Sequence, residues 1–423
     1  MVKTSTAINL AAIIKKQLPE ELTAFMQLAG EVAQRHGQRL YLVGGVVRDL
    51  LLERANFDLD LVLEGDAISL AREMADVKGG KVTTHQRFGT AKLRWDDWSV
   101  DFTTARSESY PEPCALPVVK PASIKDDLFR RDFTINAMAV ELGPSAYGQL
   151  LDLYGGRSDL EGKLIRVLHE RSFIDDATRI WRGLRYEQRL GFELETVTLR
   201  WLKRDIAYLD RLSGDRLRHE LELALKEEYP EKVLQRADAL GVLARLHPKL
   251  KGDEWLAGKF REARCLSVPD ASSFGLYLSL LGYRLSGEEA EQLISRLRLP
   301  KLAAQALRDT ISLKNELASL TDPELSPSRI YSLVCGYATP AVMANALAGE
   351  SAVACQHLNL FLSKLRYIKP ALNGGDLMRM GIAPGPKIKE TLKRLLEARL
   401  DGKVKTKRDE ESLVKRLLAE AER

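Results

Sequence analysis

The chain reads as an α+β protein, a mixed sheet with helices in the first third followed by helices alone. Three observations predict this. Short runs with strand periodicity (39–43, 57–63, 81–84, 90–95, 99–104 and 136–141) crowd the region before residue 150. Helical patterns at 47–52 and 66–77 fall between only some of them, which argues for a mixed sheet rather than a regular βαβ series. From residue 172 onward almost only helical periodicity is found, punctuated by Gly191, Gly214, Pro230, Pro248, Pro269, Pro300 and Pro327.

Residues 6–36 are expected to form one or two amphipathic helices, with Pro19 marking a break or a new start. The 107–123 stretch carries Pro111, Pro113, Pro117 and Pro121, has little periodicity, and is expected to be a loop. Loops of that length inside a compact domain often act as functional lids. The expected division is an N-terminal helical extension (1–36), a sheet-bearing head (37–148), a neck (149–228), a helical body (229–330) and a helical tail (331–423).

At 423 residues the chain is long enough for two to four domains. Lys and Arg number 64 against 59 Asp and Glu, a net charge of +5. That excess is too small to argue for nucleic acid by itself, so local clustering has to carry the case. Cys114, Cys265, Cys335 and Cys355 show no CxxC spacing and are expected to be reduced thiols of an intracellular protein. Lys15, Lys16, Glu20 and Glu21 interrupt the early apolar runs, and no stretch approaches the ~18 apolar residues of a membrane span. A cytoplasmic location without membrane contact is expected. His85, His169, His219, His247 and His357 lack metal-ligand spacing and are expected to be structural or surface residues. Trp95, Trp98 and Trp181 are expected in the core or an interface.

The chemistry concentrates in three segments. In Asn56-Phe57-Asp58-Leu59-Asp60, strand geometry puts Asp58 and Asp60 on one face. Two carboxylates that close call for a cation or a shared proton. A bare DxD is more often just a solvated strand face. Here, however, the turn Gly44-Gly45-Val46-Val47-Arg48-Asp49 lies just upstream, and a Gly-Gly turn can present backbone N–H groups to phosphate. Carboxylates holding two Mg²⁺ ions beside a phosphate cradle point to chemistry on a nucleoside triphosphate. Asp101, on a neighbouring strand, is the candidate third carboxylate. In Arg130-Arg131-Asp132-Phe133-Thr134-Ile135-Asn136, Arg131 is the candidate triphosphate contact, its guanidinium donating in a fork. The third segment, Asp175-Asp176-Ala177-Thr178-Arg179, continues as a helix through Arg182 and Arg185. Spacings of three residues put an acid and three cations along one side. Such a stripe commonly just laces a surface helix. A carboxylate acceptor beside a guanidinium donor can also read the Watson–Crick edge of a base.

The order GGVVRD, DLD, RRDFTINAMA, DLYGGRSDL (152–160) and DDATRIWRGLRY resembles the class II tRNA nucleotidyltransferases, the CCA-adding enzymes and their bacterial poly(A) polymerase relatives. A weaker fifth element lies at 215–221, and the tail segments at 373–377 and 381–386 also look like the family. The resemblance implies a nucleotidyltransferase head like that of the DNA polymerase beta superfamily, then a neck, body and tail. It implies Mg²⁺ on Asp58 and Asp60, and nucleotide contacts from Gly44, Gly45, Arg48, Asp49 and Arg131. It further implies template-free selection of CTP or ATP by Asp176, Arg179, Arg182 and Arg185. The implied reaction is attack of the tRNA 3′-hydroxyl on the α-phosphate with release of pyrophosphate. The family usually opens the neck motif with Glu-Asp-Pro, whereas this chain has Asp175-Asp176-Ala177, which leaves Asp176 and Arg179 intact.

CC-adding members resemble this chain less, because their loop between the DxD and RRD motifs is shortened and here it is full length. The segments at 89–91 and 166–169 look like A-adding members, so A-only addition or poly(A) synthesis stays open beside full CCA addition. A-adding members often carry extra N-terminal domains, which are not expected here. With no His-Asp dipeptide in the chain, a phosphohydrolase module is not expected either. A non-catalytic RNA-binding relative would be expected to have lost an acid of the DxD pair or the Arg-Arg-Asp element. Residues 381–423 hold twelve Lys or Arg against eight Asp or Glu. Lys387, Lys389, Lys393, Arg394, Lys405 and Lys407 are the implied contacts to tRNA phosphates, with the acceptor arm read by shape. A solvated helical face explains these cations equally well taken alone.

Overall fold

The computed structural model describes residues 8–266 and 274–421. Residues 6 and 7 of the first helical segment and Pro269 lie outside the described residues. The chain divides into two compact units, residues 1–213 and 214–423.

The first unit opens with α1 (Ala11–Gln17) and α2 (Glu20–Arg35), broken at Leu18-Pro19 as the proline predicts. Then come β1 (Arg39–Val43), α3 (Gly45–Leu51), β2 (Leu59–Glu64), α4 (Ala67–Lys78), β3 (Lys81–His85), β4 (Thr90–Trp95) and β5 (Trp98–Thr104). They are followed by β6 (Arg106–Ser109), β7 (Val118–Pro121), α5 (Ile124–Phe129), β8 (Ala139–Glu141) and β9 (Leu150–Leu151). Seven of these strands form one sheet in the order β3-β4-β5-β2-β1-β8-β9. Only β2 and β5 run parallel within it.

The sheet has two differently used faces. On one, α2 lies against the strands, with Phe25 stacked on Trp95 at 4.5 Å. Glu21 of α2 accepts hydrogen bonds from both indoles, Trp95 at 2.9 Å and Trp98 at 2.8 Å. Gly30 permits this approach, since a Cβ there would stand 2.0 Å from the Leu142 carbonyl oxygen. On the other face, Tyr41, Val43 and Val62 pack with Ile124 and Leu128 of α5 and with Ala137 and Ala139. Asp60 stands two residues before Val62 and opposite Val43, so it ends that apolar row.

Three segments depart from the sequence expectation. The strand expected over 57–63 begins at Leu59, because the Asp58 N–H donates to the Asn56 side chain at 3.0 Å and turns the chain there. The strand expected over 136–141 keeps only Ala139–Glu141. Residues Thr134–Asn136 form a 3-10 turn, with Asp132 accepting from the Phe133 N–H and the Asn136 amide. The stretch expected to be a loop over 107–123 is a loop at 110–117, but its two flanks pair as the antiparallel ribbon β6–β7. Its prolines fall in the connecting segment and at the strand end, where no ladder donor is needed, and alternation puts Arg106, Glu108 and Tyr110 on one face.

After α6 (Gly156–Glu161) and the small parallel pair β10 (Leu164–Ile165) and β11 (Glu193–Leu194) come the neck elements: α7 (Ser172–Asp175), α8 (Thr178–Leu190) and α9 (Thr196–Asp205). Gly191 ends α8 in the left-handed conformation, φ 68°.

The second unit is helical throughout its described residues. One of its cores gathers Leu313, Val334, Val342, Leu358 and Leu400, and another gathers Leu372, Leu377, Leu395 and Val414. Among the described residues no single helix is long and apolar enough to cross a membrane.

Candidate active site

Asp60 and Asp101 are direct neighbours in the parallel register of β2 and β5. Asp58 lies one residue outside β2 and is exposed. Burial, followed by the charges of Asp58 and Asp101, pushes the Asp60 carboxyl up to about 6 against the pull of Arg131. Asp60 keeps a partly exposed edge, so the crowding of negative charge matters alongside the apolar row behind it. Lys92 on β4 pairs with Asp101 at 2.7 Å and drains part of that charge.

The Gly-Gly turn closes on this group. Gly44 sits at φ 79°, and a Cβ on it would lie 3.0 Å from Arg131 Nη1 and 3.5 Å from Asp60 Oδ2. A side chain there is strained by the backbone conformation, and its Cβ would press on the Arg131 guanidinium. Arg131 gives Nη2 to Asp127 at 3.0 Å, while its Nε is buried without a hydrogen-bond partner. Gly45 starts α3 beside this turn.

The acids fit a hard divalent cation. Carboxylate oxygens are the donors Mg²⁺ prefers, and a cation would relieve the crowding that raises Asp60. Asp58 and Asp60 would hold it. Among the described residues no three Asp, Glu, His or Cys side chains are drawn into a metal-ready cluster, so Asp101 stands in register with the pair without closing a cage.

Arg48 and Asp49, expected to face the triphosphate, are turned into the protein. Arg48 is 4% exposed. It donates from Nε and Nη2 to Asp49, both at 2.8 Å, and from Nη1 to Asn136 at 2.7 Å. Asp49 also accepts from Asn56 at 2.7 Å, which anchors the turn before the DxD pair. Asn136 in turn donates to Asp132 at 3.1 Å, and Asp132 accepts two bonds from Arg182 of α8, at 2.8 and 2.6 Å. The Arg48 and Arg182 guanidinium groups both lie over the Tyr186 ring, at 5.3 and 5.8 Å. Burial opposes the Asp132 charge, but Arg182 and then Asn136 hold the carboxyl down to about 2. A continuous polar chain thus joins the Gly-Gly helix, the RRD segment and the neck.

The expected single stripe of arginines is split three ways. Arg182 goes to Asp132, and Arg185 is buried on α8. Arg179 faces a separate cleft, giving Nη1 to Ser172 and Nη2 to the Arg130 carbonyl, each at 2.6 Å. Asp176 accepts from the Thr178 N–H at 2.9 Å and from its hydroxyl at 2.6 Å, which ties it to the first residue of α8. The Arg179 N–H reaches the Asp176 carbonyl at 3.1 Å, so the two residues stay adjacent.

The Arg179 cleft encloses about 590 Å³ between the β6–β7 ribbon, α5 and the neck. Glu108 accepts from Arg106, from Arg130 Nη1 at 3.0 Å and from the Tyr110 hydroxyl at 2.8 Å. Burial and the Glu108 charge raise the Tyr110 phenol above its ordinary range. Asp127 is fully buried between Arg130 and Arg131; burial disfavours its charge, but Arg131 and Arg130 outweigh this and keep its pKa low. The ribbon tip is tied down at Cys114, which sits at φ 61°. Its N–H donates to the Ile174 carbonyl at 3.0 Å, and its Sγ lies 3.5 Å from the Tyr208 carbonyl.

Asp127 and Lys92 lie outside the quoted motifs, and Glu108, Tyr110 and Asn136 were given no role of their own. The one available signal was the spacing of Asp127 three and four residues before the arginine pair. His169, expected to be structural or a surface residue, lines this cleft. The tail cations sit in the second unit. Lys387, Lys389, Lys393 and Arg394 are exposed on helix Pro386–Leu400, where Lys393 and Arg394 pair with Glu397 and Glu390. Lys405 and Lys407 are exposed at the start of the last helix, Lys407 4.0 Å from Asp376.

Comparison with known proteins agrees with this geometry. The family profile described as Poly A polymerase head domain matches residues 40–166. A second, described as the probable RNA and SrmB-binding site of polymerase A, matches 191–253. The A-adding tRNA nucleotidyltransferase of Halalkalibacterium halodurans is 33% identical over 95% of this chain and 94% of its own length. That of Geobacter sulfurreducens is 33% identical over 96% of this chain, which spans only 48% of that relative. A CCA-adding enzyme in complex with CTP superposes with a TM-score of 0.81 at 32% identity, covering 99% of this chain and 100% of that one. The Thermotoga maritima CCA-adding enzyme complexed with tRNA superposes at 0.78 and 31% identity, covering 98% and 100%. With its sheet, acids and neck arranged as described, the chain belongs to the tRNA nucleotidyltransferase and poly(A) polymerase family.

Proposed function

We propose that the chain adds the 3′-terminal CCA to tRNA from CTP and ATP, without a nucleic-acid template. The observation that carries this reading is the convergence of Asp60, its register neighbour Asp101, the Gly44 turn and Arg131. When bound at Asp58 and Asp60, Mg²⁺ would neutralise the triphosphate and lower the pKa of the attacking hydroxyl. Gly44 and Gly45 leave room for phosphate oxygens, and Arg131 offers them its guanidinium. Asp176 and Arg179 select the base by hydrogen bonding, with Arg179 held in place by Ser172 and the Arg130 carbonyl. Arg48, Asp49 and Arg182 act from behind, fixing the turn and the neck helix. The tRNA 3′-hydroxyl attacks the α-phosphorus, and pyrophosphate leaves. Lys387, Lys389, Lys393, Arg394, Lys405 and Lys407 would contact tRNA phosphates. A cytoplasmic location is part of the same reading.

A-only addition is the second reading, favoured by the two A-adding relatives at 33% identity. One assay separates the two. Purified protein is offered tRNAs ending before the CCA, after C and after CC, with each triphosphate alone. Incorporation of C on the first tRNA is expected. Incorporation of A only, on the CC-ended tRNA only, would establish the second reading, and no incorporation on any would remove both. Arg179→Ala is expected to scramble the choice between CTP and ATP more than it weakens triphosphate binding; unchanged selectivity would count against base reading by Arg179.

A further inference from the structure

The outer wall of the Arg179 cleft carries an aromatic group that the transfer chemistry does not use. Phe129 ends α5 with 46% of its surface exposed. Its ring meets Tyr154 at 5.7 Å and His169 at 5.2 Å, the latter inclined by only 34°. Tyr154 is itself fixed, its hydroxyl donating to the Lys125 carbonyl at 3.0 Å. Phe129 and His169 line the cleft with Arg130, Arg171 and Arg179 and with the acids Glu108, Asp126, Glu170 and Asp175.

We infer that Phe129 and His169 form a stacking platform for an unpaired base at the 3′ end of the RNA strand. The inference rests on the tRNA-transfer reading above and deepens it. An exposed aromatic face flanked by cations is the combination that holds single-stranded nucleic acid, with π-stacking on the base and attraction on the phosphate. Arg171 is placed to attract the phosphate, since it is largely exposed and reaches Asp175 only at 3.4 Å. Arg130 is not, being engaged by Asp127 and Glu108. Burial and the Arg179 charge lower the His169 pKa, which disfavours a charged ring there. The cleft is open at Glu170 and Arg171, both exposed. A strand continuing to solvent can leave past them, whereas a mononucleotide gains nothing from that rim. Base reading by Asp176 and Arg179 leaves the platform to the acceptor strand.

The test uses the full chain and a tRNA ending in CC, with ATP, a step common to both readings of the function. Phe129→Ala is expected to raise KM for tRNA on the order of tenfold, with kcat, KM for ATP and melting temperature unchanged. Phe129→Tyr is expected to restore KM. In parallel, 2-aminopurine at the terminal position of the tRNA is expected to be quenched on binding the native protein and not on binding Phe129→Ala. An unchanged KM for tRNA with unchanged quenching would overturn the inference. So would a rise in KM for ATP alone, which would assign the platform to the incoming base. Absence of transfer by the native protein would sink the tRNA-transfer reading instead, and the quenching measurement would still decide the platform.

Discussion

Asp60 is held where its own charge is unwelcome, at the end of an apolar row and beside two other carboxylates. Its pKa rises from 3.8 unfolded to about 6 folded. The unfolded chain therefore loses this proton first, and folding stability from this group falls as pH rises from 3.8 to about 6. Two pKa units correspond to about 3 kcal/mol. Residual exposure of the side chain reduces the expected effect to ~1–2 kcal/mol. Asp60→Asn is accordingly expected to stabilise the metal-free protein at pH 7.5, to leave it little changed at pH 4, and to abolish transfer. Urea unfolding at the two pH values checks the sign. Added Mg²⁺ should raise the melting temperature of the native protein more at pH 7.5 than at pH 5, and that of Asp60→Asn hardly at all. The strand face that Asp58 and Asp60 were expected to share is not formed, because the turn at Asn56 leaves Asp58 outside β2, but the DxD acids themselves were legible as a motif. The inward turn of Arg48 was not, since it depends on Asn136, 88 residues away.

At the scale of elements, α8 and the RRD segment are joined by an ion pair whose carboxylate is buried and whose guanidinium is about one-third exposed. Removing Arg182 strands the buried carboxylate, at about 3 kcal/mol, whereas removing Asp132 leaves an arginine that water reaches, at ~1–2 kcal/mol. Asp132→Ala is expected to destabilise the protein by that amount, and the double variant with Arg182→Leu by much less than the sum of the two single changes. A double-mutant cycle in urea measures the coupling; strict additivity would show that the pair is not an anchor. Because burial is outweighed and the folded pKa lies near 2, the Asp132 contribution is present above pH 3.8 and is lost as pH falls through about 2. Sequence periodicity placed the long strands and α8 well. It missed the two short strands flanking the 110–117 loop, whose ordering comes from Glu108 gathering Arg106, Arg130 and Tyr110. It also failed to divide Arg179 from Arg182, because a helical wheel shows which side a residue is on and not which partner waits there.

For the whole molecule, a net charge of +5 conceals an uneven distribution, with the last 43 residues carrying twelve cations. Under the proposed function, reversing Lys387, Lys389 and Lys393 to Glu should raise KM for tRNA and flatten its dependence on salt, while KM for ATP stays constant. Kinetics between about 50 and 200 mM salt check this, and an unaltered salt dependence would remove these lysines from the RNA path. The β6–β7 ribbon adds a different kind of constraint. Its tip at Cys114 is fastened to the carbonyl of Ile174, two residues before Asp176. The connecting segment therefore has no slack to absorb a change in its length. A residue inserted or deleted between 110 and 117 must either undo that fastening or drag the start of the neck motif with it, so what looks like a spacer behaves as a ruler.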